Sequence, residues 1–400
     1  MIGPSDVKAA AALLDGVITK TPVQRSRVLS ELVGTDVWLK CENLQRAGSF
    51  KIRGGYTRLA RLSDEEKAHG VVAASAGNHA QGVALAAGKL GIGSVVFMPE
   101  DAALPKISAT KAYGARVVLT GFSVDDALVA AREYARETGA VLVHPFDHPD
   151  IVAGQGTTGL EIAEQVPDVR TILVPVGGGG LAAGIVAGLD DRPGIEVVGV
   201  QASHAAAYPE SLLAGHPVKA RELHTMADGI AIGLPGEVPF EIIARHHMPV
   251  RTVSEEDLSR AMLLVAERAK LVVEASGAAG VAALMATPEE FADKGPVVVV
   301  LSGGNVDPLV LMRMIRHGMA SAGRFLQLRI TIPDSPGNLA GVLRDIAALG
   351  ANVLDVVHLR TSVDLAFDEV AIEVELETKG PEHCTEVVRR LREAGYRLAN

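Results

Sequence analysis

The sequence predicts an α/β protein. It reads as a two-part region of parallel-rich twisted sheets over residues 1–320, followed by a small ferredoxin-like α+β unit over residues 326–400. Three observations carry this reading. Short β-branched runs alternate with alanine-rich stretches through residues 71–301, the strand-then-helix signature of a parallel sheet. Glycine, at 42 of 400 residues, exceeds the usual ~7% and collects where those runs end. Beyond Gly323 the pattern changes to a compact βαββαβ order. A 48% hydrophobic content supplies more than one core.

Taken in chain order, Ser5 or Asp6 is placed to cap a first helix. The strand candidates are Val71–Ala74, Val95–Met98, Ala115–Thr120, Thr171–Val176, Glu196–Val200 and Pro296–Leu301. Between them, Ala80–Lys89, Val124–Thr138 and Ala182–Leu189 hold helix formers with little β-branching. A smaller domain is expected as an insertion at about 48–155. In the last unit, Phe325–Ile332, Asn352–Arg360, Glu369–Glu377 and Tyr396–Ala399 read as strands, with helices at Leu339–Leu349 and Glu382–Ala394. A unit of that size gains stability by pairing with another copy.

Composition excludes several classes. With 38 Lys+Arg against 48 Asp+Glu, the net charge of −10 gives nucleic-acid backbones no general attraction. No uncharged apolar stretch approaches the ~18 residues of a membrane span, and no basic leader precedes an apolar core, so a cytoplasmic location is expected. Cys41 and Cys384 lie at opposite ends of the chain, which excludes a cysteine-based zinc site and a disulfide framework.

Three glycine-rich turns follow three of the strands: Ser75-Ala76-Gly77-Asn78-His79, Gly177-Gly178-Gly179-Gly180 and Ser302-Gly303-Gly304-Asn305. Free N–H groups at a helix start bind anions, and in open α/β sheets ligands sit beyond the carboxyl ends of strands. Any one such turn is compatible with a plain tight connection. Four successive glycines are less so, because their backbone entropy is lost on folding. No lysine follows in the manner of an ATP-binding loop, and the dinucleotide fingerprint is not met, so the pattern favours a bound phosphate over ATP or NAD. Lys51, in Ser49-Phe50-Lys51, alone reads as a surface charge. Beside a phosphate cradle it has the chemistry to capture the aldehyde of pyridoxal phosphate.

Glu42-Asn43-Leu44-Gln45 with Gly48-Ser49-Phe50-Lys51-Ile52-Arg53-Gly54 resembles the cofactor-lysine segment of the threonine/serine dehydratases. These belong to the second pyridoxal-phosphate fold class, shared with the tryptophan synthase β subunit. Segments Ser75–Gly82, Pro175–Leu181 and Ser302–Asn305 match that family in order and spacing, and the likeness covers residues 5–320. The C-terminal segment is similar to an ACT domain, so the whole resembles the short, allosteric threonine ammonia-lyases.

The resemblance implies pyridoxal 5′-phosphate as cofactor and the conversion of L-threonine, with some L-serine, to a 2-oxo acid and ammonia. It makes Lys51 the cofactor lysine and the base at Cα, and gives Gly177, Gly178, Gly179, Gly180 and Leu181 the phosphate. Phe50 would pack beside the ring, Asn78 would bond the 3′-oxygen, and Ser302 would face the pyridine nitrogen. Ser75, Gly77, Asn78 and His79 would hold the substrate carboxylate; His79 reads equally as a structural helix-start residue. Glu274, in Val272–Gly277, resembles a segment lining the cleft and reads equally as a buried helix-start acid. Arg53 is the one nearby cation that could serve a second substrate carboxylate, and its direction decides.

Ala76 has no proton to exchange, which argues against efficient racemisation, and Gln201–Ala207 lacks the carboxylates a magnesium site needs. In the ACT-like unit, Asp334, Gly337, Asn338 and Leu339 are expected to bind an effector, isoleucine or valine, with self-association as a homo-oligomer. A serine dehydratase or racemase on the same fold is the alternative enzyme. A non-enzymatic amino-acid sensor is the alternative of another class, and it leaves Lys51, the tetraglycine and Ser302 without a common purpose.

Overall fold

The computed structural model describes residues 2–360 and 365–399. The chain divides into two compact units, Met1–Leu311 and Met312–Asn400. The first holds two sheets. In the larger, β1 (Val23–Arg25), β2 (Val37–Lys40), β10 (Val297–Val300), β7 (Thr171–Pro175), β8 (Glu196–Ala202) and β9 (Val250–Val253) lie in that order. Only β1 runs antiparallel to its neighbour. The smaller sheet is wholly parallel, in the order β5 (Arg116–Leu119), β4 (Ser94–Met98), β3 (Val71–Ala74), β6 (Val141–Leu142).

The sequence of β10, four consecutive valines, is buried throughout, as a strand covered on both faces requires. Around the larger sheet, Val152, Ile162, Ile172, Val174, Ile185 and Val298 share one core. Strands β1, β6 and β9 are absent from the sequence reading. β1 and β6 are only three and two residues long, too short for alternation to register, and β9 exposes two of its four residues.

Helices form where capping and apolar spacing agree. Before Val124–Thr138, the Ser123 hydroxyl accepts from the Asp126 N–H while the Asp126 carboxylate accepts from the Ser123 N–H, and Gly139 closes the helix at φ 76°. The first helix, Pro4–Leu14, differs from expectation: Gly3 is its cap. Pro4 fits the first turn because it needs no donor there. Asp6 lies inside the helix, its carboxylate accepting from the Gly3 N–H at 2.9 Å.

The second unit is an antiparallel sheet in the order β12 (Asn352–Leu359), β13 (Glu369–Glu377), β11 (Phe325–Pro333), β14 (Arg397–Ala399). With helices Asn338–Ala348 and Pro381–Glu393 this gives the ferredoxin-like βαββαβ arrangement. Ile330, Ile372, Val374 and Leu376 pack with Val342, Ile346, Val387 and Leu391 in its core. Among the described residues, no helix is long and apolar enough to cross a membrane.

Candidate active site

The three glycine-rich turns lie just beyond the carboxyl ends of β3, β7 and β10, and the lysine segment Gly48–Lys51 adds another after β2, at the end where parallel sheets bind ligands. Hydrogen bonds tie three of them together. The Phe50 N–H donates to the Ser302 carbonyl at 3.2 Å and the Gly304 N–H to the Gly48 carbonyl at 2.9 Å. The Asn305 amide donates to the Ala47 carbonyl at 2.6 Å and to Asn78 Oδ1 at 2.9 Å. Buried Ser302 therefore adjoins the turn that carries the lysine.

Lys51 opens helix Lys51–Ala60. Its Nζ donates to the Pro145 carbonyl at 3.0 Å and sits 5.1 Å from the centre of the Phe50 ring. A Cβ on Gly82 would lie 3.0 Å from the Lys51 Cβ, so the glycine lets helix Asn78–Leu90 approach the root of this side chain. Burial lowers the Lys51 pKa to about 8, against an opposing pull from the Glu274 charge. About a tenth of the amine is thus uncharged at pH 7, far more than for an ordinary lysine, and that is the form a nucleophile or base needs.

The fourth turn, Gly177–Gly180, is joined to Lys51 through Pro145-Phe146. The Phe146 ring covers Gly178, and its Cβ lies 3.0 Å from where a Cβ on Gly180 would stand. Gly179 takes φ +97° as the cap of helix Gly180–Gly188, and a side chain there would collide with the Tyr208 hydroxyl. That hydroxyl donates to the Gly178 carbonyl at 3.2 Å, and the Gly236 N–H donates to the same oxygen at 3.1 Å. Gln155 Oε1 is buried without a partner, 2.6 Å from a Gly180 Cβ position. Leu181, next along the helix, turns into the core.

Glycine amides at a helix start suit an oxyanion. An aromatic ring and a lysine of lowered pKa one short segment away suit an aldehyde. The residues present fit pyridoxal phosphate.

His79 is buried and its Nε2 lies 2.8 Å from the Val143 carbonyl. A carbonyl can only accept, so Nε2 carries the proton. Burial, with the Lys51 charge, lowers its pKa to about 3. The ring is a neutral strut to the segment after β6. Ser75 accepts from the Gly77 N–H at 3.1 Å, shaping the turn before Asn78. Asn78 Nδ2 donates to Glu274 Oε1 at 2.6 Å. Burial, followed by the Asp228 charge, raises the Glu274 pKa to about 7.

Arg53 does not face a ligand. Its guanidinium is fully buried against Glu42 and Glu161, so it offers no cation to a second substrate carboxylate. Pro145, Phe146, Gln155 and Tyr208 are parts of the site that the sequence does not mark. They come from segments without a glycine-rich turn, although the concentration of His and Asp in His144–Asp150 marks an unusual loop.

In the second unit, Gly337 at φ +97° precedes helix Asn338–Ala348. The Asn338 amide donates to Ser335 Oγ at 2.7 Å and to the Pro333 carbonyl at 3.2 Å. Asp334 pairs with Arg360 at 3.4 Å, and Leu339 packs on the local core.

The fold and this geometry define a pyridoxal-phosphate enzyme of the second fold class. The model of the pyridoxal-phosphate dependent enzyme family matches residues 14–303, and the chain belongs to that family. Among curated proteins it is 44% identical over 399 residues to an L-threonine ammonia-lyase of Thermotoga maritima, covering 100% of this chain and 99% of that one. Among solved structures, threonine deaminase isoform 2 of Solanum lycopersicum superposes with a TM-score of 0.76 at 36% identity, over 79% of this chain and 87% of that chain. Serine racemase of Dictyostelium discoideum gives 0.72 at 36% identity, over 76% and 99%.

Proposed function

We propose that the chain is a pyridoxal-phosphate-dependent threonine ammonia-lyase, turning L-threonine into 2-oxobutanoate and ammonia. The observation that carries the chemistry is the Lys51 amine, its pKa lowered to about 8, one segment away from a glycine turn able to hold a phosphate. The full-length likeness to a threonine ammonia-lyase supports the substrate.

When bound, the cofactor supplies an electron sink that weakens the Cα–H bond and lets the β-hydroxyl depart. Lys51 would hold it through its amine and would serve as the base that accepts the Cα proton. Gly177 to Gly180 and Leu181 would present N–H groups to the phosphate. Phe50 would flank the ring, and Asn78 would donate to its 3′-oxygen. Ser302 offers the pyridine nitrogen only a neutral hydroxyl, which does not hold a proton there as a carboxylate would. Ser75, Gly77 and Asn78 line the place of the substrate carboxylate. His79, bonded to Val143, supports that turn from behind.

Serine differs from threonine by one methyl group, worth about 1–3 kcal/mol in a pocket, so serine is the slower substrate. Ala76 carries no exchangeable proton, which favours elimination over inversion at Cα. In the C-terminal unit, Asp334, Gly337, Asn338 and Leu339 would meet isoleucine or valine, and the unit would pair copies of the chain.

Incubation of the holoenzyme with L-threonine should release equal amounts of 2-oxobutanoate and ammonia. L-serine should give pyruvate more slowly and little D-serine. Fast D-serine formation without 2-oxobutanoate would replace this reading with a racemase. Removal of residues 324–400 should abolish the response to isoleucine or valine while elimination continues, and an undiminished response would remove the effector assignment.

A further inference from the structure

Glu274 takes no part in the steps above, yet it stands inside the site. It is 5% exposed and caps helix Ala275–Ala286, its own N–H donating to the Gly303 carbonyl at 3.1 Å. Its Oε1 accepts from Asn78 Nδ2 at 2.6 Å. On its other side Asn78 accepts: Asn305 Nδ2 donates to Asn78 Oδ1 at 2.9 Å. Asn305 is itself anchored on the Ala47 carbonyl at 2.6 Å. The bonds therefore run outward from the Asn305 amide, to Ala47 on one side and through Asn78 to Glu274 on the other.

That direction has a consequence for Asn78. Turning its amide over would set Oδ1 against the Glu274 carboxylate and Nδ2 against the Asn305 N–H group, two repulsive contacts at once. The NH2 group carries two hydrogens. Glu274 takes one, and one remains.

We propose that Glu274 is a positioning residue: by accepting from Asn78, it locks that amide so that its remaining N–H serves the ring oxygen of the cofactor. The inference rests on the reading that Asn78 meets the cofactor. It concerns the acceptor, which survives titration, because a protonated carboxyl keeps a carbonyl oxygen. The charged groups around Glu274 are Asp228, Lys106 and Lys51. They bear on when it titrates and leave that carbonyl acceptor in place. Glutamine at the same position retains a carbonyl oxygen; leucine does not.

The test is a double-mutant cycle read by the dissociation constant of pyridoxal phosphate and by the absorption maximum of the bound cofactor, with thermal unfolding of each apoprotein as the folding control. Loss of one hydrogen bond to a ligand corresponds to roughly tenfold. Asn78→Ala and Glu274→Leu should each weaken cofactor binding by about tenfold and shift the absorption maximum alike. The double variant should be no weaker than either alone, and Glu274→Gln should stay within about threefold of the parent. Should the leucine variant not fold, Glu274→Ala replaces it, with the same non-additivity expected. Additive losses, or a glutamine variant as weak as leucine, would overturn the positioning role. Unchanged binding in Asn78→Ala would instead overturn the reading of Asn78 itself, and the inference with it.

Discussion

Arg53 donates through Nε and Nη2 to the two carboxylate oxygens of Glu42, at 2.8 and 2.7 Å, with both side chains wholly buried. The same guanidinium reaches Glu161 at 2.7 Å and Thr157 at 3.1 Å. Lys40 closes the group against Glu161, the Thr21 carbonyl and Gln165. Two cations face two anions, so the interior carries no net charge there. Arg53 lies two residues beyond Lys51 on the same helix, and the network ties that helix to β2 and to helix Pro149–Gln165.

Burial opposes ionisation of Glu42, but the Arg53 charge and hydrogen bonds, with Lys40 and Thr21, hold its carboxyl below the usual range. A depressed carboxylate stabilises the fold above its unfolded pKa, and that contribution is lost as pH falls through its folded value. Glu42→Gln leaves a buried cation short of its partner and should cost about 3–5 kcal/mol. Urea unfolding at neutral pH checks this; a change under about 1 kcal/mol would contradict it.

The Lys51 pKa of about 8 governs cofactor capture by the apoprotein, since only the uncharged amine attacks an aldehyde. Reconstitution with pyridoxal phosphate, followed by absorbance, should accelerate about tenfold per pH unit below 8 and level off above it. A rise continuing to pH 10 would show an ordinary lysine.

At Gly179, φ is +97° and the Cβ space is taken by Tyr208. Gly179→Ala should therefore weaken pyridoxal phosphate binding by more than about tenfold. Gly16→Ala, at φ +70° with open space around it, should cost about 1 kcal/mol of stability and leave cofactor affinity alone. Equal effects of the two on binding would detach the tetraglycine from the phosphate.

Because His79 donates from Nε2 to the Val143 carbonyl, its replacement should act on stability. His79→Ala is expected to lower stability by about 1–3 kcal/mol without changing the shape of the pH–rate profile. Loss of one limb of that profile would make the ring a proton carrier after all.

Glu274 gives a pH dependence of opposite sign to Glu42. Its folded pKa, about 7, lies above the ordinary value of 4.5, so the folded state keeps its proton longer. The stability this supplies is whole below about pH 4.5 and is lost as pH rises toward 7. Glu274→Gln should flatten the apoprotein's Tm across that window. An unchanged slope would show that the carboxyl does not titrate there.

Much of this architecture is legible in the chain because local and long-range signals agree. The valines of β10 announce a covered strand, and Ser123 with Asp126 and Gly139 marks both ends of one helix. The glycine turns reveal themselves because Gly179 takes a left-handed backbone and a side chain at Gly178, Gly180, Gly303 or Gly304 would collide with its neighbours. What is not legible is direction. Nothing in the spacing tells that Arg53 turns inward to Glu42 and Glu161, or that His79 faces a carbonyl. Pro145 and Phe146, which join Lys51 to the tetraglycine, owe their place to tertiary packing alone. Short pairings such as β6, two residues long, exist only because longer neighbours hold them.

The central claim is that one aldehyde cofactor is tethered by Lys51. Holoenzyme reduced with borohydride, digested and mapped by mass spectrometry should carry a single pyridoxyl adduct on the peptide containing that residue. An adduct on Lys40 or Lys106 instead, or none on any peptide, would contradict it.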